Sequence, residues 1–193
     1  LGALQVQRGR VGSAILIATT TGIGTRRAAD AAERLLDATP LDHLIVVGID
    51  WGTATFSGIS DNQGNSFTQV GTQLSSPAGI KSRFYYAGNI KGGNETVTVT
   101  MTGADPSLQV YIAEYRGADP SNPLDVASQL TGPAGSVTSG IVPTTSANDV
   151  LVGYCVSEGT CSVPSGWNAR STHSNNLLED RGQAIAGAVE ATA

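Results

Sequence analysis

The sequence predicts a mainly β protein, an antiparallel, jelly-roll-like sandwich preceded by a short strand–helix segment. Three observations carry this. Residues 95–102 alternate, with Val97, Val99 and Met101 on one side and Thr96, Thr98, Thr100 and Thr102 on the other, the period of a half-buried strand with a hydroxyl-rich wet face. Leu108, Val110 and Ile112 repeat the pattern after the turn-forming Gly103-Ala104-Asp105-Pro106, so two antiparallel strands joined by a short loop are expected. Finally, 24 glycines and a charged fraction of only 14% suit a β protein with many turns better than a disordered or long-helical chain.

Taken in order, Leu4–Gln7 and Ser13–Ala18 read as short strands, the second around the apolar run Ala14–Ala18. A Gly22-Ile23-Gly24 turn follows, and then a helix over residues 25–37. In that helix Thr25 is the N-cap, Ala28, Ala32, Leu35 and Leu36 share one face, and Pro40 is the stop. With the apolar run Leu44–Ile49 these elements predict a βαβ unit and a parallel strand pair. Beyond it, strands are expected near Thr53–Ile59, Ser66–Leu74, Ile80–Asn89, 95–102, Ser107–Tyr115, Ser136–Val142, Asp149–Ser157 and Gln183–Val189. Gly, Pro, Asn and Asp separate them at sandwich-like spacing. Ile80, Phe84 and Tyr86 share one face and read as core, opposite Lys81, Arg83 and Tyr85.

Composition changes near Leu44. All ten aromatic residues lie at Trp51 or later, and residues 43–193 hold twelve acids against six bases. That acidity argues against a nucleic-acid or anionic-membrane partner, and no apolar run approaches membrane-spanning length, so no membrane insertion is expected. The expected division is therefore residues 1–43 as an αβ segment and 44–193 as a β-sandwich module.

Two resemblances follow the same division. ATTTGIGTRRAADAAERLL followed by DHLIVVGI resembles the start of the purine nucleoside phosphorylase and methylthioadenosine/adenosylhomocysteine nucleosidase superfamily. It covers about the first fifty residues; Asp50-Trp51 replaces the small residues of that family, and its later ribose- and base-binding segments are missing. From Leu44 on, LIVVGIDW, SDNQGNSFTQVG, RFYYAGNIKGGNETVTVT, IAEYRGADPSNPLDV, DVLVGYCVSEGT and LLEDRGQAIAG resemble a bacterial secreted β-sandwich module found beside immunoglobulin-like repeats. This second resemblance implies adhesion or glycan binding and no catalytic activity. Together they imply a fusion whose seam lies in Leu44–Ile49 and a sandwich with an unmatched edge.

The chemistry-bearing residues are few. Only His43 and His173 could serve a hydrolytic triad, and no Gly-x-Ser-x-Gly elbow occurs, so a serine hydrolase is not expected. Glu179-Asp180 is an adjacent acid pair, but strand neighbours point to opposite faces and cannot share one site; an ion pair fixing the last strands, involving Arg116, is expected instead. Asp61, Asn62 and Asn65 offer oxygens to a structural calcium ion, or form an ordinary turn. Trp51, Tyr111 and Trp167 are the candidates for stacking on a sugar ring, Tyr111 because one face of its strand should be less buried. Cys155 and Cys161 suit a local disulfide in an extracellular chain. The chain begins at Leu1 without a signal peptide, so the extracellular or cell-surface expectation rests on composition and this pair.

The function expected is therefore a non-enzymatic extracellular binding or adhesion module, with a glycan or cell-surface partner and no cofactor beyond calcium. Two alternatives remain: a structural, polymer-forming surface protein that self-associates through its sheet edge, and an inactive nucleosidase or phosphorylase remnant.

Overall fold

A computed structural model describes residues 2–7, 15–21, 26–27, 43–92, 95–132 and 137–193. In chain order its strands are β1 (Gly2–Gln7), β2 (Ile15–Thr21), β3 (Arg26–Arg27), β4 (His43–Trp51), β5 (Thr55–Asp61), β6 (Thr68–Ser75), β7 (Lys81–Gly88) and β8 (Val97–Thr102). Then come β9 (Gln109–Arg116), β10 (Leu124–Leu130), β11 (Val142–Pro143), β12 (Asp149–Cys155), β13 (Asn168–Ser171), β14 (Leu177–Gln183) and β15 (Ala188–Val189). One short 3-10 turn, His173–Asn175, precedes β14. The protein is mainly β, as its alternating patterns require, and every pair of strands among the described residues is antiparallel.

A central five-stranded sheet runs β2-β9-β4-β7-β6. A second five-stranded sheet runs β10-β1-β12-β14-β13, a three-stranded sheet runs β3-β8-β5, and β11 pairs with β15. The central sheet is apolar on both faces. Ile45, Val47, Ile49, Tyr85, Val110 and Ile112 share one buried cluster with Val97, Val99 and Met101 of β8. Leu44, Val46, Phe84, Tyr111 and Tyr115 share another with Val152 and Tyr154 of β12 and Leu178 of β14. This explains why β4 is apolar without alternation: all nine of its residues are buried.

Several sequence expectations change here. β8 and β9 are not a hairpin. β8 pairs with β5 and β3, whereas β9 pairs with β4 and β2, so the connection 103–108 crosses from one sheet to another. Their apolar side chains meet, but their backbones do not. The parallel pair expected of the N-terminal unit is also absent: β9 lies between β2 and β4, antiparallel to each, and β1 belongs to a different sheet. Arg26–Arg27 pair as a strand with Val99 and Thr98; the rest of the helix expected over 25–37 lies outside the described residues. Phe84 and Tyr86 pack toward the second sheet as expected, and Tyr85, on the other face, is buried too. β10 and β13 had no counterpart in the pattern, and β14 begins at Leu177 rather than near Gln183. Of the strand expected over Ser136–Val142, Val142 is extended and Ser136 lies outside the described residues.

Candidate functional site

Where β4 ends, its last residues carry a buried carboxylate to the mouth of a cavity. Strand alternation turns Trp51 toward β8 and Asp50 toward β12, and Asp50 is only 4% exposed. Tyr154 donates its hydroxyl to Asp50 Oδ1 at 2.6 Å. Asn176 donates through Nδ2 to Asp50 Oδ2 at 3.3 Å and to the Tyr111 hydroxyl at 3.1 Å. The Tyr111 hydroxyl itself lies against Gln109 Oε1 and the His173 carbonyl, to one of which it donates. Burial is the main force on Asp50 and lifts its pKa from 3.8 to about 7 against the Tyr154 and Asn176 hydrogen bonds, with the Asp105 charge adding to the rise. Burial beside Asp50 raises the Tyr154 and Tyr111 hydroxyls as well, so both stay protonated donors.

The cavity measures about 650 Å³. Its polar lining includes Asp50, Lys81, Ser107, Gln109, Ser157 and Asn176, and Trp51, Ile80 and Val156 supply apolar wall. Asp105 shapes the rim by accepting from the backbone N–H groups of Gly52 (3.0 Å), Ala54 (2.8 Å) and Ser107 (2.9 Å). Burial alone would raise the Asp105 pKa, but these N–H donors outweigh it and hold the carboxyl below its ordinary value. Lys81 Nζ donates to the Gly52 carbonyl at 2.6 Å and fixes the same turn from the other side. The opposite wall comes from two neighbouring segments, the loop after β12 and the 3-10 turn before β14. Ser157 N–H donates to Asn176 Oδ1 at 3.2 Å, and Cys161 N–H donates to the Asn175 carbonyl at 2.8 Å. Among the described lining residues there is no His or Cys, and what the site offers is a set of hydrogen-bond donors and acceptors at fixed positions.

The residues singled out from sequence fall elsewhere for the most part. Trp51 is 1% exposed, Tyr111 0% and Trp167 9%, so none presents an open face for stacking. For Trp51 and Tyr111 the reason is the double coverage of the central sheet: no face of β9 is the wetter one. Trp51 donates Nε1–H to the Ala54 carbonyl at 3.0 Å and forms part of the cavity wall, and Tyr111 reaches the site through its hydroxyl. Trp167 packs with Leu151 and Val189 under the Arg181 guanidinium, 5.0 Å from its ring centre. Asp61, Asn62 and Asn65 take the turn geometry. Asp61 Oδ1 accepts from Gln63 and Asn65 N–H at 3.1 and 2.9 Å, and its Oδ2 accepts from Asn65 Nδ2 at 2.8 Å. Asn65 Oδ1 accepts from Lys91 N–H and Asn62 Oδ1 from Thr96 N–H, so these oxygens face backbone donors. Among the described residues no cluster of three or more His, Cys, Asp or Glu side chains could hold a metal ion.

Cys155 and Cys161 are disulfide-bonded, with an S–S distance of 2.05 Å. Asp180 and Glu179 do face opposite sides. Asp180 pairs with Arg170, not Arg116, at 2.5 and 2.8 Å and accepts from the Tyr115 hydroxyl at 2.9 Å. Arg116 instead donates to His43 Nε2 at 3.2 Å, which leaves His43 Nδ1–H for Glu114 at 2.6 Å; the imidazole is a structural link between the two.

Sequence reasoning missed Asp50, Asn176 and Lys81 as site residues. The signal for Asp50 was present, an acid at the end of a run of apolar residues, where burial and a partner must go together. Asn176 carried no such signal, because it meets Asp50 across 126 positions of chain. No protein-family model, curated protein or solved structure matches this chain.

Proposed function

We propose that the chain is a non-enzymatic, extracellular β-sandwich module of jelly-roll type that binds a hydroxyl-rich ligand, the end of a glycan, in the Asp50–Asn176 cavity. One observation carries the reading: a cavity of about 650 Å³ is lined by a carboxylate and an amide bonded to each other and by Ser107, Gln109, Ser157 and Lys81. Adjacent sugar hydroxyls each donate and accept, and planar carboxylate and amide groups match such pairs, while serine hydroxyls adapt to either role. The volume lies within the ordinary range of small-molecule sites, roughly 300–1,000 Å³. Recognition here is by hydrogen bonds rather than ring stacking, since the Trp51 ring is buried. The disulfide is in keeping with an oxidising compartment.

The test is titration calorimetry against a panel of neutral and acidic oligosaccharides. Gln109→Ala and Ser107→Ala should weaken binding at least tenfold, and Asn65→Ala, in the distant turn, should leave it unchanged. Binding indifferent to the two cavity variants, or no glycan bound at all, would sink the reading.

Self-association through a sheet edge is favoured by a different observation. β10 is joined to its sheet through β1 alone among the described strands, and β1 sits between β10 and β12, paired with both. Exchange of Gly2–Gln7 between copies would then link them. Light scattering over a hundredfold concentration range should show growth that an excess of GALQVQ peptide suppresses.

A further inference from the structure

The disulfide is buried with Leu177 next to the segments that wall the cavity, and the backbone of its loop bonds to them. Cys155 ends β12 and stands opposite Leu177, the first residue of β14. Beyond that pair the two chains leave the sheet and become the cavity wall through Val156, Ser157, Ser174 and Asn176. No ladder holds them there. Ser174 and Asn175 have φ of 52° and 63°, which breaks the extended geometry and places Ser174 in the left-handed region that side chains disfavour. Two hydrogen bonds substitute for the ladder: Cys161 N–H to the Asn175 carbonyl at 2.8 Å and Ser157 N–H to Asn176 Oδ1 at 3.2 Å. Both donors belong to the small loop that the disulfide closes. The second bond also decides which way the Asn176 amide points. With Oδ1 taken by Ser157, Nδ2 must face Asp50 and Tyr111.

We infer that the Cys155–Cys161 disulfide is the positioning element of the cavity: it clamps the 156–161 loop onto the 173–176 turn, and its reduction opens that wall while the sheets persist. Capacity for ligand then depends on the oxidation state of this pair. The inference rests on the glycan-site reading only for that last consequence. The geometry of the wall can be tested without any ligand.

Two preparations serve, wild type reduced with a phosphine and alkylated, and the Cys155→Ala/Cys161→Ala double variant, so that a folding defect in one does not decide the matter. Amide exchange by NMR should show at least a tenfold loss of protection at positions 157 and 161, with Val47 and Ile112 unchanged. The carboxyl titration of Asp50 should fall from about 7 toward the ordinary carboxylate range, because the burial that raises it is relieved when the wall lifts. Glycan affinity should drop at least tenfold. Unchanged protection at 157 and 161 in both preparations would overturn the inference. So would equal losses at Val47 and Ile112, which would make the bond a clamp for the whole fold. If neither the oxidised nor the reduced protein binds glycan, the ligand reading fails, and the exchange and titration results still decide this one.

Discussion

Gly48 lies opposite the Tyr154 ring, and a Cβ there would come within 2.8 Å of it. Only glycine lets the ring lie flat enough on β4 for its hydroxyl to reach Asp50. Gly48→Ala is expected to push the ring away, lengthen that hydrogen bond and cost about 1–3 kcal/mol, the usual range for overpacking a core. Urea unfolding monitored by near-UV circular dichroism measures this, and a cost below about 0.5 kcal/mol would mean that the ring relaxes freely. Asp50 shows how far single residues speak for themselves. A carboxylate among Leu44–Ile49 and Trp51 announces a buried polar centre. Its partners, Tyr154 and Asn176, lie 104 and 126 residues on, and their spacing carries no trace of the meeting.

At the level of strands, in/out alternation was legible and pairing was not. The faces of β7, β8 and β9 follow from their patterns, because side-chain direction is a local property of extended chain. The choice of partner is not local. Gly103-Ala104-Asp105-Pro106 has the composition of a hairpin turn, yet Asp105 directs its oxygens at Gly52 and Ala54 and carries the chain across to another sheet. Short exposed strands such as β10 lacked contrast, since most of its positions are half-buried on both sides. β13 is an edge strand tied to β14 by more than its ladder: Arg170 forks onto Asp180, which also accepts from Tyr115. Arg170→Leu is expected to destabilise the protein by about 3 kcal/mol, because it leaves the Asp180 carboxylate buried without its cation. Adding Asp180→Asn to that variant should recover part of the loss in a double-mutant cycle; full additivity would show that the pair does not act as a unit.

For the molecule as a whole, the buried acids set how stability varies with pH. Burial is the first cause that lifts Asp50 to about 7, and likewise Glu95 and Glu179 to about 8; the charge and hydrogen bond of Asp61 add to the rise at Glu95, and the charge of Asp180 to that at Glu179. Each folded pKa stands above its unfolded value, so the folded state holds the extra protons. The stability these acids contribute is full below about pH 4 and is lost as the pH rises through 7 to 8. Asp61 and Asp105 act in the other sense: burial would raise them, but their hydrogen bonds win and lower them, and their contribution is lost as the pH falls through their folded values. The melting temperature should therefore peak near pH 4 and decline from there to about pH 8. Glu179→Gln should flatten the alkaline decline; a melting temperature that climbs from pH 6 to 8.5 would contradict the assignment. The crossing between β8 and β9 bears on how the molecule is assembled in time. A synthetic peptide spanning 95–116 would be no autonomous hairpin, for neither strand has a backbone partner inside it. Each must wait for segments some forty to seventy residues upstream to arrive, so zipper-like growth cannot start from this pair. Its refolding belongs with the slow, long-range class, on the order of milliseconds to seconds.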